Sequence, residues 1–195
     1  HKKEFKTRLI FILAQLYSEE GNLKASKYYE WVVNRNPDYD MAFQAKINRA
    51  LSFSGGDSKA IKAQLLKMLK DDKNIEYFDQ IYFALAEIAF SDGEEDLAIE
   101  YLMTSVRVSV KNKKQKAKSL QKLGDWNYMK DEYLLAYQYY DTIQQVWGND
   151  SVAKSKTLKR YKTLELIYQN SKTITDNDSI LNICALSPEE RSKKL

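Results

Sequence analysis

A small residue that follows a leucine recurs along this chain, and this recurrence constrains the fold more than any other feature. The repeated positions are Ala14, Ala86 and Gly124, and a second repeated position is occupied by Ala25, Ala98 and Ala136. Ala14 and Ala86 are 72 residues apart, which is two periods of roughly 36 residues with Ala50 midway. Self-similarity of this length predicts four units, centred at 14, 50, 86 and 124, that stack on one another.

Each unit is predicted to contain two amphipathic helices joined by a short turn. In every second helix, three positions with i, i+4, i+7 spacing lie on one face. These positions are Ala25, Tyr29 and Val32; Ile61, Leu65 and Met68; Ala98, Leu102 and Ser105; and Ala136, Tyr140 and Ile143. We expect the small residues to let paired helices approach closely, and the aromatic four positions later to fill the gap. The predicted turns are 20–22, 54–57, 91–94 and 130–132. Glycine in the first three allows the left-handed backbone that ends a helix.

The composition agrees with helices and excludes several classes of protein. The chain has 6 Gly and 2 Pro among 195 residues, well below the usual share of about 12%. The longest apolar segment, 81–90, is shorter than the roughly 18 residues that a membrane span needs. A net charge of +4 that is dispersed along the chain does not favour nucleic-acid binding.

The residues that catalysis or metal binding would need are scarce. One His and one Cys leave no cluster of these residues for a metal, and a nucleophile pair would require His1 to meet Cys184. The segment 55–59 lacks the Gly-Lys-Ser/Thr order of a phosphate-binding loop and follows no strand. We therefore expect no catalytic residue, no metal and no cofactor.

The pattern changes after residue 150. Ser151 is predicted to cap a helix over 152–170 that covers the exposed end of the repeats, and a polar stretch, 171–178, follows it. Cys184 lies among apolar residues and is predicted to be a buried thiol. Ser187 with Pro188 and two acids resembles a new helix start, so we expect the chain to be a fragment of a longer protein.

The basic run 111–118 carries five lysines where one unit ends and the next begins. Two interpretations are open. The run is either a solvated connector or an electrostatic contact for an acidic partner surface.

These units resemble the tetratricopeptide repeat (TPR). Leu85, Ala86, Gly93 and Ala98 match the family pattern in the third unit, and Leu123, Gly124, Ala136 and Tyr140 match it in the fourth. The first unit fits if its turn is one residue shorter, and the second is degenerate because Arg49-Ala50 replaces Leu-Gly. The resemblance implies an all-α fold, a right-handed α-solenoid of four repeats (about 5–38, 40–74, 75–112 and 114–150) with capping helices over 151–195.

TPR proteins usually bind partners in a concave groove lined by their first helices. By this resemblance, the groove candidates are Arg8, Phe11, Gln15, Gln44, Asn48, Gln80, Phe83, Glu87, Phe90, Lys118, Lys122, Asp125 and Tyr128. Their mixture of aromatic and polar groups suits protein or peptide binding. Alternatively, Phe11, Phe83 and Phe90 pack between repeats. The clamp that chaperone adaptors use for a C-terminal carboxylate is disfavoured, because Phe83, Ala84 and Ile47 stand where its polar members belong.

A more particular resemblance is to the SprE/PorW lipoproteins of Bacteroidota. It covers most of the chain from about residue 40 and is carried by segments such as 55–59, 64–71, 73–77, 79–82 and 84–88, and later by 115–117, 123–125, 139–142 and 186–191. The family implies an outer-membrane lipoprotein that faces the periplasm and is needed for type IX protein secretion and gliding motility. It also implies a link between the translocon and the ring components PorK and PorN, and a lipid anchor outside this segment.

Three functional hypotheses follow from the sequence. The first is a non-catalytic scaffold that presents its groove to other secretion components. The second is a soluble peptide-binding adaptor of the chaperone type. The third is an enzyme whose catalytic domain lies outside the 195 residues.

Overall fold

The protein is all-helical, which confirms the predicted fold class at this level. The structure, a computed structural model, describes residues 2–53 and 58–187, and these ranges contain no strand. The helices are α1 (Lys2–Glu19), α2 (Lys24–Val33), α3 (Tyr39–Leu51), α4 (Lys59–Met68), a 3₁₀ helix (Asp72–Tyr77), α5 (Phe78–Ser91), α6 (Glu95–Val108), α7 (Lys113–Met129), α8 (Tyr133–Trp147) and α9 (Ser151–Cys184). None of these helices is apolar over a length that would cross a lipid bilayer.

The second helix of each predicted unit buries the face that its spacing indicates. The buried residues of α2, α4, α6 and α8 are the four predicted triads, with nothing added and nothing missing. Three of the triads are apolar, while α6 ends its triad with the hydroxyl of Ser105. The periodicity alone therefore identified the inward faces of these four helices.

Three helix pairs are joined by the same turn. Gly21, Gly93 and Asp131 have φ values of 65°, 78° and 62°, and they lie at the same offset from Ala14, Ala86 and Gly124. In each turn, the N–H of the residue after this position donates to a carbonyl near the end of the preceding helix. The bonds run from Asn22 to Tyr17 (2.8 Å), from Glu94 to Ala89 (2.8 Å) and from Glu132 to Asn127 (3.0 Å). These bonds define a Schellman motif, which ends a helix and reverses the chain. The predicted turn at 54–57 lies outside the described residues.

The turn between α1 and α2 is one residue shorter than the turns between α5 and α6 and between α7 and α8, as its sequence predicts. The N–H of Ala25 donates to the carbonyl of Asn22, three residues back, whereas those of Ala98 and Ala136 donate four residues back, to Glu94 and Glu132. A tight first turn of α2 thus absorbs the missing residue and keeps Ala25 on the buried face.

The chain divides into two compact units, His1–Ser119 and Leu120–Leu195, with the division inside α7. In the first unit, Ala14 and Phe11 of α1 pack with Ala25, Tyr29 and Val32 of α2 and with Ala45 of α3. A second cluster joins Phe43 and Ile47 of α3 to Leu65 of α4 and Ile81 and Leu85 of α5. Consecutive helix pairs of this unit therefore share their apolar cores.

The second unit is built from the end of α7 with α8 and α9. A Cβ atom placed on Gly124 would lie 2.8 Å from the Tyr140 ring, which is closer than real Cβ atoms come. The close approach of α7 and α8 that the sequence predicts for this pair is thus present. Ile143 of α8 and Leu164 of α9 are both fully buried.

The prediction for the last helix was wrong in three respects. Its cap is Asp150, whose carboxylate accepts from the N–H of Ala153 at 2.9 Å. The helix does not end at 170 but continues through the polar stretch to Cys184. Cys184 is exposed and not buried, because the neighbouring Leu181 and Ile183 are themselves exposed on this part of the helix.

The polar stretch stays helical because its hydroxyl groups are satisfied within the helix. The side chains of Thr173, Thr175 and Ser179 donate to the carbonyls four residues back at 2.8–3.0 Å. No Gly or Pro occurs between 149 and 187 to break the helix. The predicted helix start falls on 188–190, outside the described residues.

Candidate partner-binding surface

Two of the groove candidates, Phe11 of α1 and Asn48 of α3, lie beside Tyr29 of α2. The ring of Phe11 meets that of Tyr29 edge to face, with centroids 5.8 Å apart. Burial raises the pKa of Tyr29, and hydrogen bonds from Ser18 and Asn48 partly offset this effect. Phe11 and Asn48 are thus both half-buried and both tied to the core of the first unit.

Of the three other candidates on these helices, the two on α1 are more accessible. Gln15 and Arg8 are exposed on α1, and Gln44 is half-buried on α3. Arg8 forms an i, i+4 ion pair with Glu4 at 3.1 Å, with both side chains about 60% exposed. Such a pair contributes at most about 0.5 kcal/mol, so a partner competes with it easily.

Among the candidates of α5, Phe83 packs in the interior, which is the alternative that the sequence left open. Phe83 is 4% exposed, so its ring belongs to the interior of the first unit and offers little area to a partner. The ammonium group of Lys118 lies 4.5 Å from the centre of this ring, a cation–π contact. Gln80, Glu87 and Phe90 are half-buried.

Behind α5 lies a buried polar network that sequence reasoning did not find. Asp79 is 3% exposed, and its carboxylate accepts from the Ser109 hydroxyl at 2.9 Å. The Ser105 hydroxyl donates to the Asp79 carbonyl at 2.7 Å and lies 2.8 Å from that of Ser119. The network joins the start of α5 and the end of α6 to the first half of α7. The network has a structural role, because its members form hydrogen bonds with one another.

In the second unit, Asp125 and Tyr128 of α7 are brought together by Arg160 of α9. The guanidinium lies 4.4 Å from the centre of the Tyr128 ring and 3.6 Å from the Asp125 carboxylate. Asp125 also accepts from the Tyr140 hydroxyl at 2.6 Å. Burial raises the pKa of Tyr140, and the hydrogen bond and charge of Asp125 raise it further. Lys122, one turn before Asp125, is half-buried.

The cations of α9 are the residues that the sequence reasoning missed. Arg160 lines a cleft with Lys156 and Lys159, opposite Asp125 and Tyr128. The feature that predicts them is the local charge: 151–164 holds five Lys and Arg and no acid. Net charge over the whole chain conceals this concentration, because other segments compensate for it.

The accessible groups of these surfaces are suited to contacts with other proteins. Within 2–53 and 58–187, no three His, Cys, Asp or Glu residues come close enough together to hold a metal ion. The accessible groups are amides, cations and aromatic faces, which recognise side chains and backbone of other proteins.

Comparison with known proteins adds no assignment. No protein-family model matches the chain, and a search of curated proteins finds no match.

Proposed function

We propose that this protein is a non-catalytic scaffold whose helix pairs form a right-handed α-solenoid of four TPR-like repeats. In this proposal, the first helices α1, α3, α5 and α7 present the binding surface, and α9 caps the end of the repeats. The role of the surface is to hold other proteins in place.

One observation carries the proposal: the same helical hairpin recurs at the spacing of the sequence repeat. Three Schellman turns lie at equal offsets, and four second helices bury equivalent triads. Repeats of this kind stack because one hairpin alone cannot bury its apolar face. Their exposed side is available for partners.

We further propose a place for this scaffold in type IX secretion and gliding motility. The SprE/PorW resemblance supports a periplasm-facing lipoprotein of the outer membrane, held by a lipid anchor outside these residues. Its partners would then be translocon and secretion-ring proteins, with no nucleic acid and no cofactor involved.

Capture from native membranes tests the proposal. The tagged protein in its own cells is crosslinked, solubilised and identified with its partners by mass spectrometry. The double variant Lys118→Glu/Lys122→Glu alters the proposed surface of α7, and Lys24→Glu/Lys27→Glu makes the same charge change at exposed positions of the second helix α2.

We expect wild type and the Lys24/Lys27 variant to capture secretion components, and the Lys118/Lys122 variant to lose them. Capture of no ring or translocon protein would refute the secretion role. If the purified protein instead bound a short acidic peptide through a free C-terminal carboxylate, the chaperone-type adaptor would be the better assignment.

A further inference from the structure

The second unit contains a cleft between the C-terminal half of α7 and the N-terminal half of α9. It encloses about 410 Å³. Asp125 and Tyr128 line one side, and Lys156, Lys159 and Arg160 line the other. The cleft therefore combines three cations, one carboxylate and the rings of Tyr128 and Tyr140.

Arg160 is held loosely enough to accept a second carboxylate. Its 3.6 Å distance to Asp125 is longer than the roughly 2.8 Å of a strong charge-assisted hydrogen bond. The two side chains are 43% and 36% exposed, so water screens their attraction. Asp125 already accepts a shorter bond from Tyr140, which keeps one of its oxygens occupied when Arg160 turns to a ligand.

Lys156 and Lys159 add charge that the protein does not neutralise nearby. Both side chains are exposed, and within the described ranges neither forms an ion pair. With Arg160 and Thr163 they follow an i, i+3, i+4, i+7 pattern, so they share one face of α9. These cations point to an anionic ligand in the cleft.

We propose that this cleft binds an acidic segment of a partner protein, with Glu or Asp side chains contacting Lys156, Lys159 and Arg160 and an apolar or aromatic side chain against Tyr128. The proposal rests on the scaffold function above and names the chemistry of its partner. Charge complementarity of this kind sets the rate and specificity of association.

A protein segment fits the cleft better than a nucleic acid does. Asp125 lies among the cations and would repel a continuous line of phosphates, whereas a peptide can place an uncharged residue beside it. Tyr128 already carries the Arg160 guanidinium on one face. Tyr140 also lines the cleft, but it is 2% exposed and therefore offers little ring area on which a second base would stack.

Fluorescence anisotropy with synthetic probes tests the proposal on the full chain. The probe is a short labelled peptide of Glu and Asp around one Phe, amidated at its C-terminus. Three probes serve as comparisons: the Gln/Asn counterpart of this peptide, the same acidic peptide with a free C-terminus, and a single-stranded oligonucleotide. Lys156→Glu/Lys159→Glu alters the cleft. Lys172→Glu/Lys162→Glu has the same net charge change on the same helix, at exposed residues that do not line the cleft.

We expect the acidic peptide to bind at least about tenfold more tightly than its Gln/Asn counterpart. The Lys156/Lys159 variant should lose this preference, and the Lys162/Lys172 variant should keep it within about twofold. Equal binding of both peptides, equal losses in both variants, or tighter binding of the oligonucleotide would overturn the proposal.

The two proposals fail in different ways. Partner capture that is unaffected by Lys156→Glu/Lys159→Glu leaves the scaffold in place and removes the cleft as its site. Peptide binding that requires the free C-terminus overturns the internal acidic segment proposed for the cleft and favours the adaptor assignment.

Discussion

At the scale of single residues, the contact between Gly124 and Tyr140 shows what a repeat motif encodes. Glycine at this position leaves the space that the tyrosine ring occupies. Tyr140 is 2% exposed, yet its hydroxyl reaches Asp125. One small residue thus sets both the distance between α7 and α8 and the position of a polar group in the cleft.

Replacing Gly124 with alanine should destabilise the second unit by about 1–3 kcal/mol, because the new methyl group meets the Tyr140 ring. Helix propensity alone predicts the opposite, a gain of about 1 kcal/mol. Urea unfolding followed by circular dichroism distinguishes the two. Gln121→Ala, at an exposed position of the same helix, should change stability by less than about 0.5 kcal/mol. A Gly124→Ala protein more stable than wild type would contradict the close packing.

The buried tyrosine also predicts how stability falls in alkali. The folded state raises the pKa of Tyr140 above the value of about 10 expected in the unfolded chain. The folded protein therefore keeps the phenol proton that the unfolded chain releases, and stability present below about pH 10 is lost as the pH rises further. Tyr140→Phe removes this titration.

We expect Tyr140→Phe to cost about 1 kcal/mol at neutral pH, through loss of the bond to Asp125, and to lose less stability than wild type above about pH 10. Urea midpoints measured across this range give the difference between the two proteins. Tyr139→Phe, at the adjacent half-buried position, should follow wild type. Parallel curves for Tyr140→Phe and wild type would show that this phenol does not carry the effect.

Other single-residue features could not be predicted, for a physical reason. The spacing of Ser105 places it on the inward face of α6, but its hydroxyl partners come from α5 and α7. Asp79 likewise owes its burial to the end of a neighbouring helix. Periodicity identifies which face is buried, whereas the partner of a buried polar group depends on tertiary contacts that one sequence does not contain.

At the scale of helices, the sequence predicts α2, α4, α6 and α8, which pack along their full length, more accurately than α9, which does not. The predicted buried faces of α2, α4, α6 and α8 are confirmed. An apolar stripe marks one face of a helix in the sequence, and burial of that face stabilises the helix. The second half of α9 has no such stripe, and the predicted helix ended at 170, before the polar stretch. Its hydrogen bonds are local, so the absence of a breaker decided its conformation.

Two leucines on different faces of α9 should respond differently to truncation. Leu164 is fully buried and Leu166 is 64% exposed, although they are near neighbours on the same helix. Leu164→Ala should cost about 2–5 kcal/mol of the unfolding free energy of the second unit, and Leu166→Ala less than about 1 kcal/mol. Denaturant midpoints measure both. Similar losses would mean that α9 packs through a different face.

At the scale of the whole chain, charge is informative through its distribution. The net charge of +4 gave no indication of a partner, yet 111–118 and 154–162 each hold five cations and no acid. The first segment was recognised in the sequence because its lysines are nearly consecutive. The second was missed because its cations alternate with other residues, and Lys156, Lys159 and Arg160 meet at the cleft only when the helix forms.

The central claim is that the first helices present the partner-binding surface, and site-specific photocrosslinking in native cells tests it most directly. A photoreactive residue is placed at Gln15, Gln44 or Gln80 on first helices, and at the exposed positions Lys27, Glu100 or Gln138 on second helices. The account predicts adducts with the same partner proteins from the first set and none from the second. Adducts confined to the second set would contradict it.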